Sequence, residues 1–135
     1  MKRVLYDLNV VLDVLLRRDP HFPASSVALD AVGQGRVRGY LAAHAVTTLA
    51  YFLEKELSAT KSRRVLSELL SKVQVAALTD AAIHRALALG FHDFEDAVTA
   101  ACAEEAGVSV IVTRNVGDFR KSPIPAVLPS LFVAD

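Results

Sequence analysis

The chain has little of what a disulfide-bonded or membrane-spanning protein requires. Among 135 residues there is one cysteine, Cys102, and no tryptophan. No apolar run approaches the roughly 18 residues that a membrane span needs, and Asp7 and Asp13 interrupt the segment that a signal peptide would use. A disulfide framework is therefore excluded, a cysteine-based zinc site is disfavoured, and Cys102 is expected to be a small core residue. These features favour a cytoplasmic protein without a membrane segment.

An excess of charge of one sign is also missing, because 15 lysines and arginines balance 15 aspartates and glutamates. Binding of nucleic acid by bulk electrostatic attraction is therefore disfavoured, since that mode usually requires a basic domain. What the chain does have is apolar content: 53% of its residues are hydrophobic, which excludes intrinsic disorder. We expect a single globular domain over residues 1–135.

Short apolar segments alternate with helical patterns along the chain. Strands are expected over residues 4–6, 39–43, 73–78 and 108–112, with an edge strand near 124–128. Helices are expected over 10–16, 23–33, 45–56, 61–72, 80–89 and 94–106. Thr60 is the expected N-cap of the helix over 61–72. The alternation predicts an α/β fold, a three-layer α/β/α sandwich with a mainly parallel central sheet.

Three aspartates fall at or near the carboxyl ends of predicted strands, where parallel α/β folds gather their chemistry. Asp7 follows the first strand, Asp96 lies in the first turn of a helix, and Asp118 comes shortly after the strand over 108–112. If the three point into one notch, their mutual repulsion requires a cation between them. Oxygen ligands without thiolates favour Mg²⁺ or Mn²⁺ over zinc.

Each of these acids also has a simpler interpretation. Asp7 or Asn9 suits the N-cap of the first helix, and Asp93 suits the N-cap of the helix over 94–106. Asp96 would then complement the dipole of that helix, and Asp118 would be an ordinary turn residue. The residues alone leave both interpretations open. Another set of acids is assigned to a solvated face: Glu95, Glu104 and Glu105.

Three segments of the chain resemble the PIN domain family, metal-dependent nucleases that include the VapC-type toxins of bacterial toxin-antitoxin pairs. They are DLNVVLD over 7–13, DFEDA over 93–97 and VIVTRNVGDF over 110–119. Length and element order also fit, so the resemblance extends over nearly the whole chain. It implies a PIN-like fold, a single nuclease domain, a homodimer and a small antitoxin protein as partner.

The resemblance also implies roles for individual residues. Asp7, Asp96 and Asp118 would be catalytic and would bind Mg²⁺ or Mn²⁺, with Asp93 as an outer ligand or a cap. Hydrogen-bonding support would come from Asn9, Thr113 and Asn115. The residues themselves offer six candidate substrate contacts: Arg17, Arg18, Lys61, Arg63, Arg64 and Arg114. Lys61, Arg63 and Arg64 also suit a solvated helix face with an i,i+4 pair to Glu68, whereas Arg114 lies between Thr113 and Asn115 at the proposed site.

The chain departs from the family pattern in the helix after the second strand. Thr48 stands where these nucleases usually carry a glutamate, and it cannot supply a charge. Glu54 lies six residues later, about 9 Å further along a helix, and cannot reach the same point. We hypothesise that His44, four residues before Thr48, faces the site and contacts a phosphate or a water on the metal. The alternative is a histidine at a strand–helix junction with no such role.

These observations lead to one main functional prediction and two rivals. The main prediction is a metal-dependent endoribonuclease that hydrolyses RNA phosphodiester bonds, as the toxin of a toxin-antitoxin pair. The first rival is a catalytically weakened PIN-fold module that binds RNA or protein, which the Thr48 substitution motivates. The second is a phosphotransfer domain of the receiver or haloacid-dehalogenase type. The dehalogenase-like pattern has a second acid two residues after the first aspartate, where this chain has Asn9, and a receiver has an acidic pair before its phosphorylated aspartate.

Overall fold

The computed structural model describes residues 1–134, and a five-stranded sheet in the order β3-β2-β1-β4-β5 runs through its centre. All four strand pairings are parallel. The strands are β1 (Arg3–Tyr6), β2 (Arg38–Ala42), β3 (Gln74–Ala76), β4 (Val110–Val112) and β5 (Ala126–Val127). The short β5 lies at one edge beside β4, as predicted for the proline-rich tail.

Helices connect the strands on both faces of the sheet. They are α1 (Leu8–Leu15), α2 (Phe22–Gly33), α3 (Ala43–Glu56), α4 (Ala59–Leu70), α5 (Asp80–Ala88) and α6 (Phe94–Glu105). Right-handed crossovers place α1 to α4 on one face and α5 with α6 on the other. The predicted three-layer α/β/α sandwich is thus confirmed. Within residues 1–134, no helix is long and apolar enough to cross a bilayer.

The core centres on β1 and α6. Val4, Leu5 and Tyr6 are almost fully buried, as the apolar run at the start of the chain predicts. Seven consecutive residues of α6, Ala97–Ala103, are buried because α6 lies between the sheet and α5. Their small side chains allow this close packing. Cys102 belongs to this segment as expected, and burial raises the pKa of its thiol to about 11.

The order of the strands fixes where a site can form. The chain leaves β1 towards β2 and β3 on one side, and later returns to β4 and β5 on the other. The connections that leave β1 and β4 therefore run in opposite directions and open a crevice at the carboxyl ends of these two strands. Asp7 follows β1 at this point, and its N–H donates to the carbonyl of Val112 at the end of β4 (2.9 Å).

The N-cap of α4 differs from the prediction. Ser58, not Thr60, is the cap, and its hydroxyl accepts a hydrogen bond from the N–H of Lys61 (3.1 Å). The helix begins earlier than predicted because Ser58 has the extended backbone of a cap, whereas Thr60 already lies in the first turn.

This difference gives a stability prediction. Ser58→Ala is expected to lower the free energy of unfolding by about 1 kcal/mol, because the N–H of Lys61 loses its acceptor. Thr60→Ala, the matched control, removes an exposed hydroxyl two residues later and should change it by less than about 0.5 kcal/mol. Urea unfolding of both variants measures the difference. Equal losses would contradict the assignment of the cap.

Candidate active site

A cleft of about 100 Å³ lies at the carboxyl edge of the sheet, where the first turns of α1, α3 and α6 meet. The amino ends of helices carry partial positive charge and favour anions. The cleft is therefore suited both to carboxylates of the chain and to an incoming phosphate. Its polar lining residues are Asp7, Asn9, His44, Thr48, Glu95, Asp96, Thr99 and Asn115.

Asp7 is both the N-cap of α1 and a wall of the cleft. Its carboxylate accepts hydrogen bonds from the N–H of Leu8 (2.9 Å) and from the hydroxyl of Thr113 (2.8 Å). The Thr113 oxygen in turn accepts from the N–H of Asn115 (3.1 Å). Burial raises the pKa of Asp7, and the hydrogen bonds from Thr113 and Leu8 oppose that rise. Capping and site formation are thus compatible, and Thr113 links the ends of β1 and β4.

Asp96 faces the same cleft from the first turn of α6. Asp93 caps this helix, as the sequence suggested, by accepting a hydrogen bond from the N–H of Asp96 (3.1 Å). Burial raises the pKa of Asp96 to about 7, with further contributions from the negative charges of Asp7, Asp93, Asp118 and Glu95. Such repulsion between carboxylates is what a bound cation would relieve.

His44 lines the cleft because α3 begins at Ala43, early enough to place His44 and Thr48 on the same side of the helix. Its Nε2 lies 3.2 Å from the hydroxyl of Thr99 on α6, and that hydroxyl donates to the backbone carbonyl of Glu95 (3.0 Å). Burial lowers the pKa of His44, so the neutral imidazole is favoured. The buried Nδ1 has no hydrogen-bond partner among residues 1–134.

Asp118 does not line this cleft. It is exposed on a 3-10 helix (Val116–Phe119) and lines a neighbouring hollow with Lys121. Within the described part of the chain, no three histidine, cysteine, aspartate or glutamate side chains are grouped closely enough to hold a metal ion. The donor atoms nevertheless fit a hard cation, since carboxylate, amide and hydroxyl oxygens dominate the cleft. The structure thus brings Asp7 and Asp96 together in the cleft and places Asp118 beside it, near enough for its charge to raise the pKa of Asp96.

Arg114, expected to contact the substrate, does not line the cleft. Its Nε lies 2.9 Å from a carboxylate oxygen of Asp13, and its side chain is only 26% exposed. Arg18 forms a second salt bridge with Asp13 (3.1 Å) and also donates to the side chain of Asn9 (3.3 Å). Both arginines pair with Asp13 because its carboxylate is 0% exposed, and a buried carboxylate requires counter-charges. Sequence analysis missed this role of Asp13, although an acid within the apolar stretch of α1 was a visible signal.

The three glutamates of α6 lie at its two ends. Glu104 forms a salt bridge with Arg85 (2.9 Å), and Glu105 accepts from the hydroxyl of Thr79 (2.9 Å). Glu95 is exposed, as expected of a solvated residue, but it lies on the wall of the cleft. Glu95 reaches this wall because it is in the first turn of α6, at the carboxyl edge of the sheet, whereas Glu104 and Glu105 are in the last turn.

Comparison with known proteins identifies the family. A model of the PIN domain matches residues 3–117. The chain belongs to the PIN domain family. No curated relative matches the sequence. This assignment removes the support for the phosphotransfer alternatives, which belong to other families.

Solved structures show the same fold as this PIN domain at low sequence identity. FitAcB from Neisseria gonorrhoeae is 23% identical, with a TM-score of 0.64 over 96% of this chain and 99% of the other. A toxin-antitoxin complex from Klebsiella pneumoniae is 20% identical, with a TM-score of 0.72 over 93% and 97%. VapBC-1 from nontypeable Haemophilus influenzae is 14% identical, with a TM-score of 0.73 over 95% and 98%. At these identities the likeness establishes the architecture.

Proposed function

We propose that this PIN domain, over residues 1–135, is a metal-dependent endoribonuclease that hydrolyses phosphodiester bonds in RNA. One observation carries the proposal: Asp7 and Asp96 share a cleft at the point where strand order reverses, and neighbouring carboxylates oppose the ionisation of Asp96. Such an arrangement is suited to a divalent cation and to the phosphate that the cation would bind.

The residues around the cleft have separate tasks in this proposal. Asp7 and Asp96 hold Mg²⁺ or Mn²⁺, Asp118 contributes from the rim, and Asp93 acts as cap and outer ligand. When bound, the ion supplies activation of water and neutralisation of phosphate charge. Other residues position these groups or the RNA: Asn9, His44, Thr48, Thr113 and Asn115.

Contacts in the structure support two of these positioning roles. Thr113 holds the Asp7 carboxylate in one orientation through the 2.8 Å hydrogen bond. The neutral His44, beside the amino ends of three helices, can donate to or accept from a phosphate that enters the cleft. Arg114 positions the loop after β4 through its salt bridge with Asp13, and its positive charge also acts on Asp7, so we retain it as a candidate contact for the RNA.

We further propose that the protein is the toxin of a toxin-antitoxin pair, acts in the cytoplasm, and forms a homodimer. Fold neighbours bear the names of toxin-antitoxin complexes, which supports a small antitoxin protein as partner. The net charge of zero favours binding of the substrate by local contacts at the cleft, because long-range electrostatic attraction between the protein and RNA would be weak.

A second candidate function is a binding module for RNA or protein with little catalysis. It is favoured by the neutral Thr48 in the cleft and by the lack of a closely grouped set of three metal-binding side chains within residues 1–134. It predicts binding without metal-dependent turnover.

A cleavage assay separates the two candidates. Single-stranded RNA should be cut in the presence of Mg²⁺ or Mn²⁺, and excess EDTA should abolish the cutting. Readdition of Mn²⁺ should restore it, which controls for an effect of the chelator on the protein. Cleavage that persists in EDTA would refute the metal-dependent mechanism, and RNA binding without cleavage would favour the binding module.

A further inference from the structure

We infer that a basic hollow beside the cleft binds a backbone phosphate of the RNA, next to the phosphate that enters the cleft. The hollow has a volume of about 290 Å³ and is lined by the loop before α6 and by the segment after β4. Its polar side chains are those of His92, Asp118, Arg120 and Lys121. The inference rests on the proposed function, since it takes RNA as the substrate, and it names where the strand continues beyond the cleft.

The cleft and the hollow are built by the same two stretches of chain. The first stretch contributes residues 90–92 to the hollow and residues 95–96 to the cleft. The second contributes Asn115 to the cleft, and residues 117–118 and 120–121 to the hollow. Asp118 in the hollow is also near enough to act electrostatically on Asp96 in the cleft. A strand with one phosphate in the cleft can therefore bring the phosphate of a neighbouring nucleotide to the hollow.

The hollow carries more positive than negative charge. Arg120 and Lys121 share it with one carboxylate, that of Asp118. Arg120 is exposed, and its guanidinium has neither a hydrogen bond nor a salt bridge with another residue in the described part of the chain. Arginine presents its N–H donors in a planar fork that matches the oxygens of a phosphate. Its charge is therefore available to a ligand, and phosphate is the anion that RNA supplies.

Arg120 differs in this respect from two other arginines near the cleft. Arg18 and Arg114 both form salt bridges with the buried carboxylate of Asp13, at 3.1 Å and 2.9 Å. Much of their positive charge is therefore compensated within the protein. Arg120 offers the RNA a charge that no carboxylate among residues 1–134 pairs with.

Lys121 joins the two walls of the hollow. Its ammonium donates to the backbone carbonyl of Gly90 (3.1 Å), which connects the segment after β4 to the loop before α6. An ammonium has three donors, so two of them remain for a ligand. His92 is exposed on the opposite wall, and its ring has no hydrogen-bond partner among the described residues. Both walls therefore offer polar groups to a phosphate.

The test is binding of a fluorescein-labelled, single-stranded oligouridylate to the full-length protein, measured by fluorescence anisotropy in EDTA over a series of KCl concentrations. Arg120→Gln should raise the Kd about fivefold at low salt, the upper range for an exposed charge pair. It should also reduce the slope of log Kd against log[KCl] by about 0.7, the contribution of one phosphate in a single strand.

Arg38→Gln is the matched control. Arg38 is an exposed arginine at the start of β2, and its side chain has no partner among residues 1–134. The amino ends of the parallel strands lie at the edge of the sheet opposite to the cleft, so this variant should leave both the Kd and the slope unchanged. Arg120→Lys keeps the charge and should keep the slope of the wild type.

The outcomes separate this inference from the proposed function. If the wild type cuts RNA with Mn²⁺ but Arg120→Gln binds RNA as Arg38→Gln does, the inference is overturned and the function stands. Binding that depends on Arg120, without cleavage under any metal condition, supports the inference and overturns the nuclease. A slope for Arg120→Lys as low as that for Arg120→Gln would show that charge is not what binds the strand, and would overturn the inference. Unchanged melting temperatures confirm that each variant is folded.

Discussion

Asp96→Asn is expected to reduce metal-dependent RNA cleavage by at least about a hundredfold. Removal of a residue that only supports the ligands of a metal reduces activity by roughly 10–100-fold, and Asp96 would contact the metal itself. The expected loss follows from the position of Asp96 in the cleft, opposite Asp7 and in the first turn of α6. Asparagine keeps the size and one acceptor oxygen but removes the charge that would hold a cation. Asp7→Asn should give a comparable loss. Initial rates at saturating Mn²⁺ measure both effects.

The same variant should not lose stability. In the metal-free protein, ionised Asp96 is opposed by burial and by its acidic neighbours, so Asp96→Asn should melt at the same temperature as the wild type or higher. Asp80→Asn is the matched control, because Asp80 is an exposed aspartate in the first turn of α5. It should retain full cleavage. A loss of activity in both variants, or an unfolded Asp96→Asn, would contradict a specific role for Asp96.

The fold was predictable because local pattern and tertiary structure agree. The buried runs in β1 and β4 consist of apolar residues with polar residues or turns directly after them. The two helices expected over 80–89 and 94–106 end before glycines, as predicted. Gly90 follows α5 and Gly107 follows α6, with positive φ angles of 73° and 72°. Parallel pairing then follows from alternation, since each strand is separated from the next by a helical crossover.

Element boundaries were less predictable. The third strand was expected over 73–78, but β3 contains only Gln74–Ala76, because apolar residues continue into a loop that does not pair. The second strand was expected to include position 43, where α3 has already begun. This shift of a few residues matters for the site, because it places His44 within the first turn of α3.

The site was predictable to the extent that topology decides it. Strand exits and helix starts bring Asp7, His44, Thr48, Asp96 and Asn115 to one cleft, as the sequence order implies. The remaining details depend on contacts between distant segments, which no local pattern encodes. The partners of Arg114, the position of Asp118 on the rim and the place of Glu95 in the cleft wall are of this kind.

The buried carboxylate of Asp13 provides the second large expected effect. Asp13→Ala should lower the free energy of unfolding by about 3–5 kcal/mol, the usual cost of removing one partner from a buried salt bridge. Asp13 is 0% exposed. Its carboxylate forms salt bridges with Arg18 and Arg114 and accepts a hydrogen bond from the hydroxyl of Ser25 (3.2 Å). Its loss would leave two guanidinium groups near the core without a counter-charge. Urea unfolding measures the change.

Two further variants identify the cause of that loss. Asp30→Ala makes the same change at an exposed position of α2 and should cost less than about 0.5 kcal/mol. Asp13→Asn keeps hydrogen-bond acceptance but removes the charge, so its cost should fall between the two. Because Arg114 follows Thr113, which holds Asp7, the two Asp13 variants should also weaken Mn²⁺ binding under conditions where they remain folded. A cost for Asp13→Ala as small as that for Asp30→Ala would mean that the paired arginines are satisfied by water, and that Asp13 does not connect α1 to the cleft.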